Sequence, residues 1–150
     1  DEQYTHITLW SILGSPLLIG CDMAELDDFT LNLLCNSEVI DVNQDELGWQ
    51  ASRIYGDDSY ATYLKPLADG TVAVAMFNLS SEPKKIGFIP RSLGVIGSQV
   101  IRDLWRQKDI YTCGYRERWE TEVAPHGCVF VKLTPVQKNF VPEGFDKNIK

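Results

Sequence analysis

Residues 71–79 contain six apolar side chains in succession, Val72-Ala73-Val74-Ala75-Met76-Phe77. Successive side chains of a β-strand point to opposite faces, so Val72, Val74 and Met76 share one face and Ala73, Ala75 and Phe77 the other. A strand apolar on both faces needs a dry layer on each side and belongs in the middle of a packed sheet. The Asp69-Gly70 hairpin signal just before it predicts antiparallel pairing with a strand over residues 59–67. The same period of two predicts strands over 84–89, 98–105, 115–123 and 128–133. They are separated by Pro83, Pro90, Lys108-Asp109 and Pro125-His126-Gly127. Short strands at this spacing predict an antiparallel β-sandwich.

Upstream of Gln50 the periodicity is different. Tyr4, Ile7, Trp10 and Leu13 recur at steps of three, widened by Leu9 and Ile12, which predicts an amphipathic helix stopped by Ser15-Pro16. The unbroken run Leu17-Leu18-Ile19 then has the character of a strand buried on both faces in a parallel sheet. A second helix is predicted from Asp27 as N-cap, with Phe29, Leu33 and Leu34 inward, and a third from Ser37 with Val39, Ile40 and Val42. One parallel strand cannot satisfy its own backbone. It requires neighbours, so the segment is expected to be the last unit of a larger α/β fold.

Charge marks the same seam. Of the 21 Asp and Glu, ten lie in residues 1–50 with no Lys or Arg, whereas residues 51–150 hold the other 11 acids and all 14 basic residues, giving −10 and +3. The boundary is placed at Gly48. The expected division is a barrel-like unit over 1–48, a sandwich over 49–135 and a tail over 136–150. A net charge of −7 without a basic cluster disfavours nucleic acid as a partner. The longest apolar stretch is far short of the roughly 18 residues of a membrane span.

Cys21, Cys35, Cys113 and Cys128 lack the spacing of a structural zinc site and are expected to be small buried residues. A disulfide, Cys113 with Cys128 or Cys21 with Cys35, stays open for an oxidising compartment. The compartment itself is undetermined: Asp1-Glu2 is not the basic start of a signal peptide, and a chain opening on Asp is expected to be processed or a fragment.

Three stretches together resemble the carboxy-terminal part of the α-galactosidase (melibiase) family, glycoside hydrolase family 27. The first is Leu9-Trp10 with Ser15-Pro16-Leu17-Leu18-Ile19-Gly20-Cys21-Asp22. The second is Val39-Ile40-Asp41-Val42-Asn43-Gln44-Asp45-Glu46-Leu47-Gly48, in which Glu46 stands where the family has Pro. The third is Arg102-Asp103-Leu104-Trp105 with Lys108-Asp109, Pro125-His126-Gly127 and Leu133-Thr134-Pro135. The resemblance implies the closing βα unit of a (β/α)8 barrel, a fold of about 250 residues, followed by an all-β antiparallel sandwich. It implies hydrolysis of terminal α-galactosides with retention of configuration, by two carboxylates about 5 Å apart and without metal or organic cofactor.

The family's nucleophile lies in a Lys-Tyr-Asp motif and its acid/base in Arg-x-x-x-Asp, both upstream of the matched stretches. Lys-Tyr-Asp is missing from this chain. Arg53-Ile54-Tyr55-Gly56-Asp57 fits the second pattern by letters only, at the entry to the sandwich, and no catalytic residue is assigned. Cys21 and Asp22, following the barrel-like strand, are the candidate substrate-binding residues, since barrel enzymes build their sites at that face; the alternative is that Asp22 orders its loop or caps a helix. Asp27-Asp28 and Asp57-Asp58 are expected to cap and turn, His6 to be a partly buried surface residue and His126 to lie in a turn. Asn78-Leu79-Ser80 fits the glycosylation pattern.

The expected function is thus the carboxy-terminal part of a retaining α-galactosidase-like hydrolase, inactive alone. The alternative is a carbohydrate-binding sandwich module that uses Trp49, Tyr55, Tyr60, Tyr63, Tyr111, Tyr115 and Trp119 as a stacking platform. A third reading has the sandwich bracing the barrel and contributing to homo-oligomer contacts.

Overall fold

The computed structural model describes residues 1–136; the expected tail otherwise lies outside the described residues. Three helices lead: α1 (Glu2–Ile12), α2 (Asp28–Leu34) and α3 (Ser37–Asn43). Eight strands follow: β1 (Ser52–Gly56), β2 (Tyr60–Pro66), β3 (Val72–Asn78), β4 (Lys84–Phe88), β5 (Gln99–Asp103), β6 (Lys108–Cys113), β7 (Trp119–Val123) and β8 (Cys128–Pro135), with a 3₁₀ turn over Pro90–Leu93. All pairings are antiparallel. One sheet has six strands in the order β1-β2-β3-β8-β5-β6, and β4 pairs with β7 in a second.

As its composition requires, β3 is central, between β2 and β8. Val74 and Met76 pack with Ile101, Val131 and Leu133 against Ile86, Phe88, Trp119 and Val123 of the small sheet. From the opposite face Ala73, Ala75, Phe77 and Phe130 meet Ile12, Val39 and Val42 of the helices. The large sheet is therefore the middle of three layers. The small sheet admits close backbone approach at Gly87, where a Cβ would lie 2.2 Å from the Trp119 carbonyl oxygen.

Several expectations change. Residues 17–19 form no strand, and Leu18 and Ile19 are 77% and 49% exposed, because no strand among the described residues takes their backbone groups. In α1 the face on the sheet is Thr8, Ser11 and Ile12, while Ile7 and Trp10 turn toward α2 and α3. Phe29 is exposed and, within α2, Leu33 alone is buried. Strands β1 and β6 were not expected, and Lys108-Asp109 opens a strand instead of separating two. Both are edge strands with most side chains in water, which removes the alternation that reveals a strand. Cys21 and Cys35 are exposed, Cys113 is buried, Cys128 is half-buried, and all four are free thiols.

The helical layer is bolted to the sheet by polar contacts. The Arg102 guanidinium pairs with Glu38 of α3 at 2.7 Å and with Asp109 at 3.0 Å, and these carboxylates hold its proton still more firmly than usual. Trp105 donates its indole N–H to Thr8 Oγ1 at 2.9 Å, and Asn36 Nδ2 donates to the Leu104 carbonyl at 3.0 Å. Lys65, fully buried, donates to the Val42 carbonyl at the end of α3, and burial pushes its ammonium pKa down.

Candidate functional site

Asp22 caps its own loop. Its Oδ1 accepts the Ala24 N–H at 2.9 Å, and the Asp22 carbonyl accepts the Glu25 N–H at 3.3 Å. Cys21 lines a cavity of about 330 Å³ enclosed by Ile7, Trp10, Leu17, Leu33 and Ile40. Both candidate residues are exposed, and Cys21 alone of the two lines the hollow. Among the described residues no three His, Cys, Asp or Glu side chains are grouped to hold a metal ion. None of their helices is long and apolar enough to cross a membrane.

Arg53 and Asp57 do not form a catalytic pair. Arg53 Nη2 donates to the Asp57 main-chain carbonyl at 2.8 Å, while the Asp57 carboxylate accepts from Ser59 N and Oγ at 2.7 and 2.6 Å, closing the β1–β2 turn. Asp27 N-caps α2 through the Thr30 N–H at 2.7 Å. His6 is exposed and stacked on Trp10, with ring centroids 5.4 Å apart. His126 sits in a turn at φ 53°.

The hydrogen bonds from Thr30 and from Ser59 hold the Asp27 and Asp57 carboxyls below the ordinary value of 3.8. A carboxyl whose folded pKa is depressed adds stability above its unfolded value and loses it as pH falls through the folded one. Urea midpoints are therefore expected to be level from pH 7 down to about pH 5 and to fall below about pH 4, less steeply in Asp57→Asn. An equally steep fall in Asp57→Asn would remove Asp57 from the cause.

The seven aromatic residues do not form one platform. Trp119 is 8% exposed and packs on Phe88 with centroids 5.2 Å apart, and Tyr63 packs on Phe77 at 5.8 Å. Tyr55 and Tyr111 are exposed but their hydroxyls are engaged by the Ser92 carbonyl and Glu117. The sequence reading missed the buried positions of Lys65 and Gln99, since an isolated polar residue in a strand carries no periodic signal of burial.

The chain is an antiparallel sandwich with helices packed against its larger sheet, and comparison gives the family. Residues 57–133 match the family described as "Alpha galactosidase C-terminal beta sandwich domain", and residues 1–45 match "Alpha galactosidase A". This chain belongs to the α-galactosidase family of glycoside hydrolases. It is 39% identical over 140 residues to "Probable alpha-galactosidase" of Dictyostelium discoideum, matching 89% of this chain and 36% of that protein. Among solved structures it resembles the β-L-arabinopyranosidase of glycoside hydrolase family 27 from Geobacillus stearothermophilus, in complex with arabinose. That likeness has a TM-score of 0.84 and 34% identity, over 91% of this chain and 31% of the other. α-Galactosidase I of Mortierella vinacea gives a TM-score of 0.82 at 27% identity, over 90% and 36%. The chain thus spans about a third of the length of the relatives it matches.

Proposed function

We propose that this chain is the carboxy-terminal part of a retaining α-galactosidase-like hydrolase acting on terminal α-galactosides. Residues 1–48 are the closing unit of its (β/α)8 barrel, and residues 49–135 are the sandwich that braces it. The observation that carries this reading is the apolar surface around residues 17–31. Leu18, Ile19, Met23, Phe29 and Leu31 are all at least 42% exposed, beside the hollow that Leu17 lines. Large apolar side chains exposed in such number along one stretch of an otherwise well-packed chain mark a face that another structure covers. Here the covering structure is the remainder of the barrel, whose strands would pair with residues 17–19.

In that setting Cys21 and Asp22 follow the last barrel strand at the face where such enzymes bind substrate, and they are proposed to contact the sugar. The reaction is double displacement: one carboxylate attacks the anomeric carbon as the second protonates the departing oxygen, then the second activates water to release the sugar. The sandwich lends rigidity through Arg102, Trp105 and Lys65 and takes no part in bond breaking.

The 150-residue chain alone is expected to release nothing from an aryl α-galactoside. Turnover by it, abolished in Asp57→Ala, would overturn the proposal. In the protein carrying the barrel, the first product seen by proton NMR is expected to keep the α-configuration. There Asp22→Ala should raise KM about tenfold, the signature of a lost binding contact. An inverted first product would exclude double displacement.

A further inference from the structure

The stretch Asn43-Gln44-Asp45 supplies no group to the double displacement, yet its side chains join distant parts of the chain. Asn43, the last residue of α3, is 7% exposed. Its Nδ2 donates to the Ser15 carbonyl at 2.8 Å, and its Oδ1 accepts from Gln44 Nε2 at 2.6 Å. Asp45 accepts the Leu47 N–H at 3.1 Å through Oδ1 and, through Oδ2, the N–H of Ala68 in the β2–β3 turn at 3.0 Å. The Val42 carbonyl, next to Asn43, accepts from Lys65 of β2. The end of α3 is thus held to the sandwich on one side and grips Ser15 on the other.

Ser15 opens the segment that leads to Cys21 and Asp22. Among the described residues, positions 15–21 make no backbone–backbone hydrogen bond, and Pro16 has no N–H to offer. The Asn43 amide is therefore the fixed point from which the segment starts. Side chains alternate along a strand, so shifting its start by one residue moves Asp22 about 3.3 Å and turns it to the opposite face. A misplacement of even about 1 Å at a site can cost about a hundredfold in rate.

We propose that Asn43 is a positioning residue for the sugar site: it sets the register of residues 15–22 in the barrel and so aims Asp22, while Asp45 and Lys65 hold it to the sandwich. The inference rests on the proposed contact between Asp22 and the sugar. Through this joint the sandwich, which breaks no bond, governs substrate binding.

The test is a double-mutant cycle in the protein carrying the barrel, read as KM for an aryl α-galactoside. Asn43→Ala is expected to raise KM about five- to tenfold alone, and by less than about twofold in the Asp22→Ala background. Partial unfolding removes active molecules and lowers the apparent kcat at unchanged KM, so a folding defect cannot mimic this result. Asp45→Ala, at a half-buried side chain, is expected to raise KM about threefold, again only where Asp22 is present, and it decides the question if Asn43→Ala does not fold. Unchanged KM in Asn43→Ala, or effects of Asn43→Ala and Asp22→Ala that multiply, would overturn the proposal. Asp22→Ala alone separates this inference from the reading beneath it. A normal KM there refutes the sugar contact and the positioning role with it, whereas a raised KM there beside a normal KM in Asn43→Ala refutes the positioning role only.

Discussion

Trp119→Ala is expected to lower the unfolding free energy by about 3–5 kcal/mol, the usual cost of deleting a large aromatic from a packed core. The ring lies between the sheets beside Phe88, and its cluster includes Ile86, Val123, Val131 and Leu133. Urea denaturation measures the loss directly. Tyr111→Ala is the comparison: its ring is 44% exposed, and among the described residues its hydroxyl bonds to Glu117 alone, so its loss should stay near or below about 1 kcal/mol. Equal and small effects in the two variants would mean that Trp119 is a surface platform after all and that the three-layer packing is misjudged.

The second large effect is expected at Asn78, which is 1% exposed at the end of β3. Its Nδ2 donates to the carbonyls of Glu82, Val123 and Ala124 at 2.7, 3.0 and 3.2 Å, and its Oδ1 accepts from Ser80 N and Oγ at 3.0 and 2.7 Å. One side chain thereby ties the end of the large sheet to the turns flanking the small one. Asn78→Ala leaves buried carbonyls unpaired and should cost about 3–4 kcal/mol by thermal or urea unfolding. Asn78→Asp puts a carboxylate against three carbonyl oxygens and should be at least as damaging near neutral pH. A glycan on Nδ2 would replace one of the two hydrogens that make these bonds and would need space that a 1% exposed side chain lacks. Intact-mass measurement of folded chain from a glycosylating host is therefore expected to find Asn78 unmodified, despite its Asn-Leu-Ser setting. A stable glycosylated form would contradict the buried geometry.

These two residues also show where sequence reasoning reached and where it stopped. The Asn78-Leu79-Ser80 triplet reads as a surface signal, yet its first residue is a structural bolt, because triplet matching carries no information about burial. The reading of Asp27 and Asp57 fared better, since capping and turn formation are local and need only the neighbouring backbone. Strands β2, β3, β4, β5, β7 and β8 were legible because each keeps a buried face. Edge strands β1 and β6 were not. The Arg102-Asp103-Leu104-Trp105 motif was visible as a family mark, but its work could not be seen in one dimension: Glu38 is 64 residues away from Arg102, and Thr8 is 97 from Trp105.

What the sequence determined by itself was the central strand, the change of periodicity near Gly48 and the family. Apolar alternation and contiguous motifs are properties of neighbours along the chain. Tertiary structure alone decided what covers each face of that strand. It assigned one face to the small sheet and the other to the helices, buried Lys65, Asn78 and Gln99, and left Leu18 and Ile19 exposed. Burial of a polar group, like pairing of a strand, depends on partners distant in sequence. For residues 17–19, an apolar run specifies the need for neighbours without supplying them.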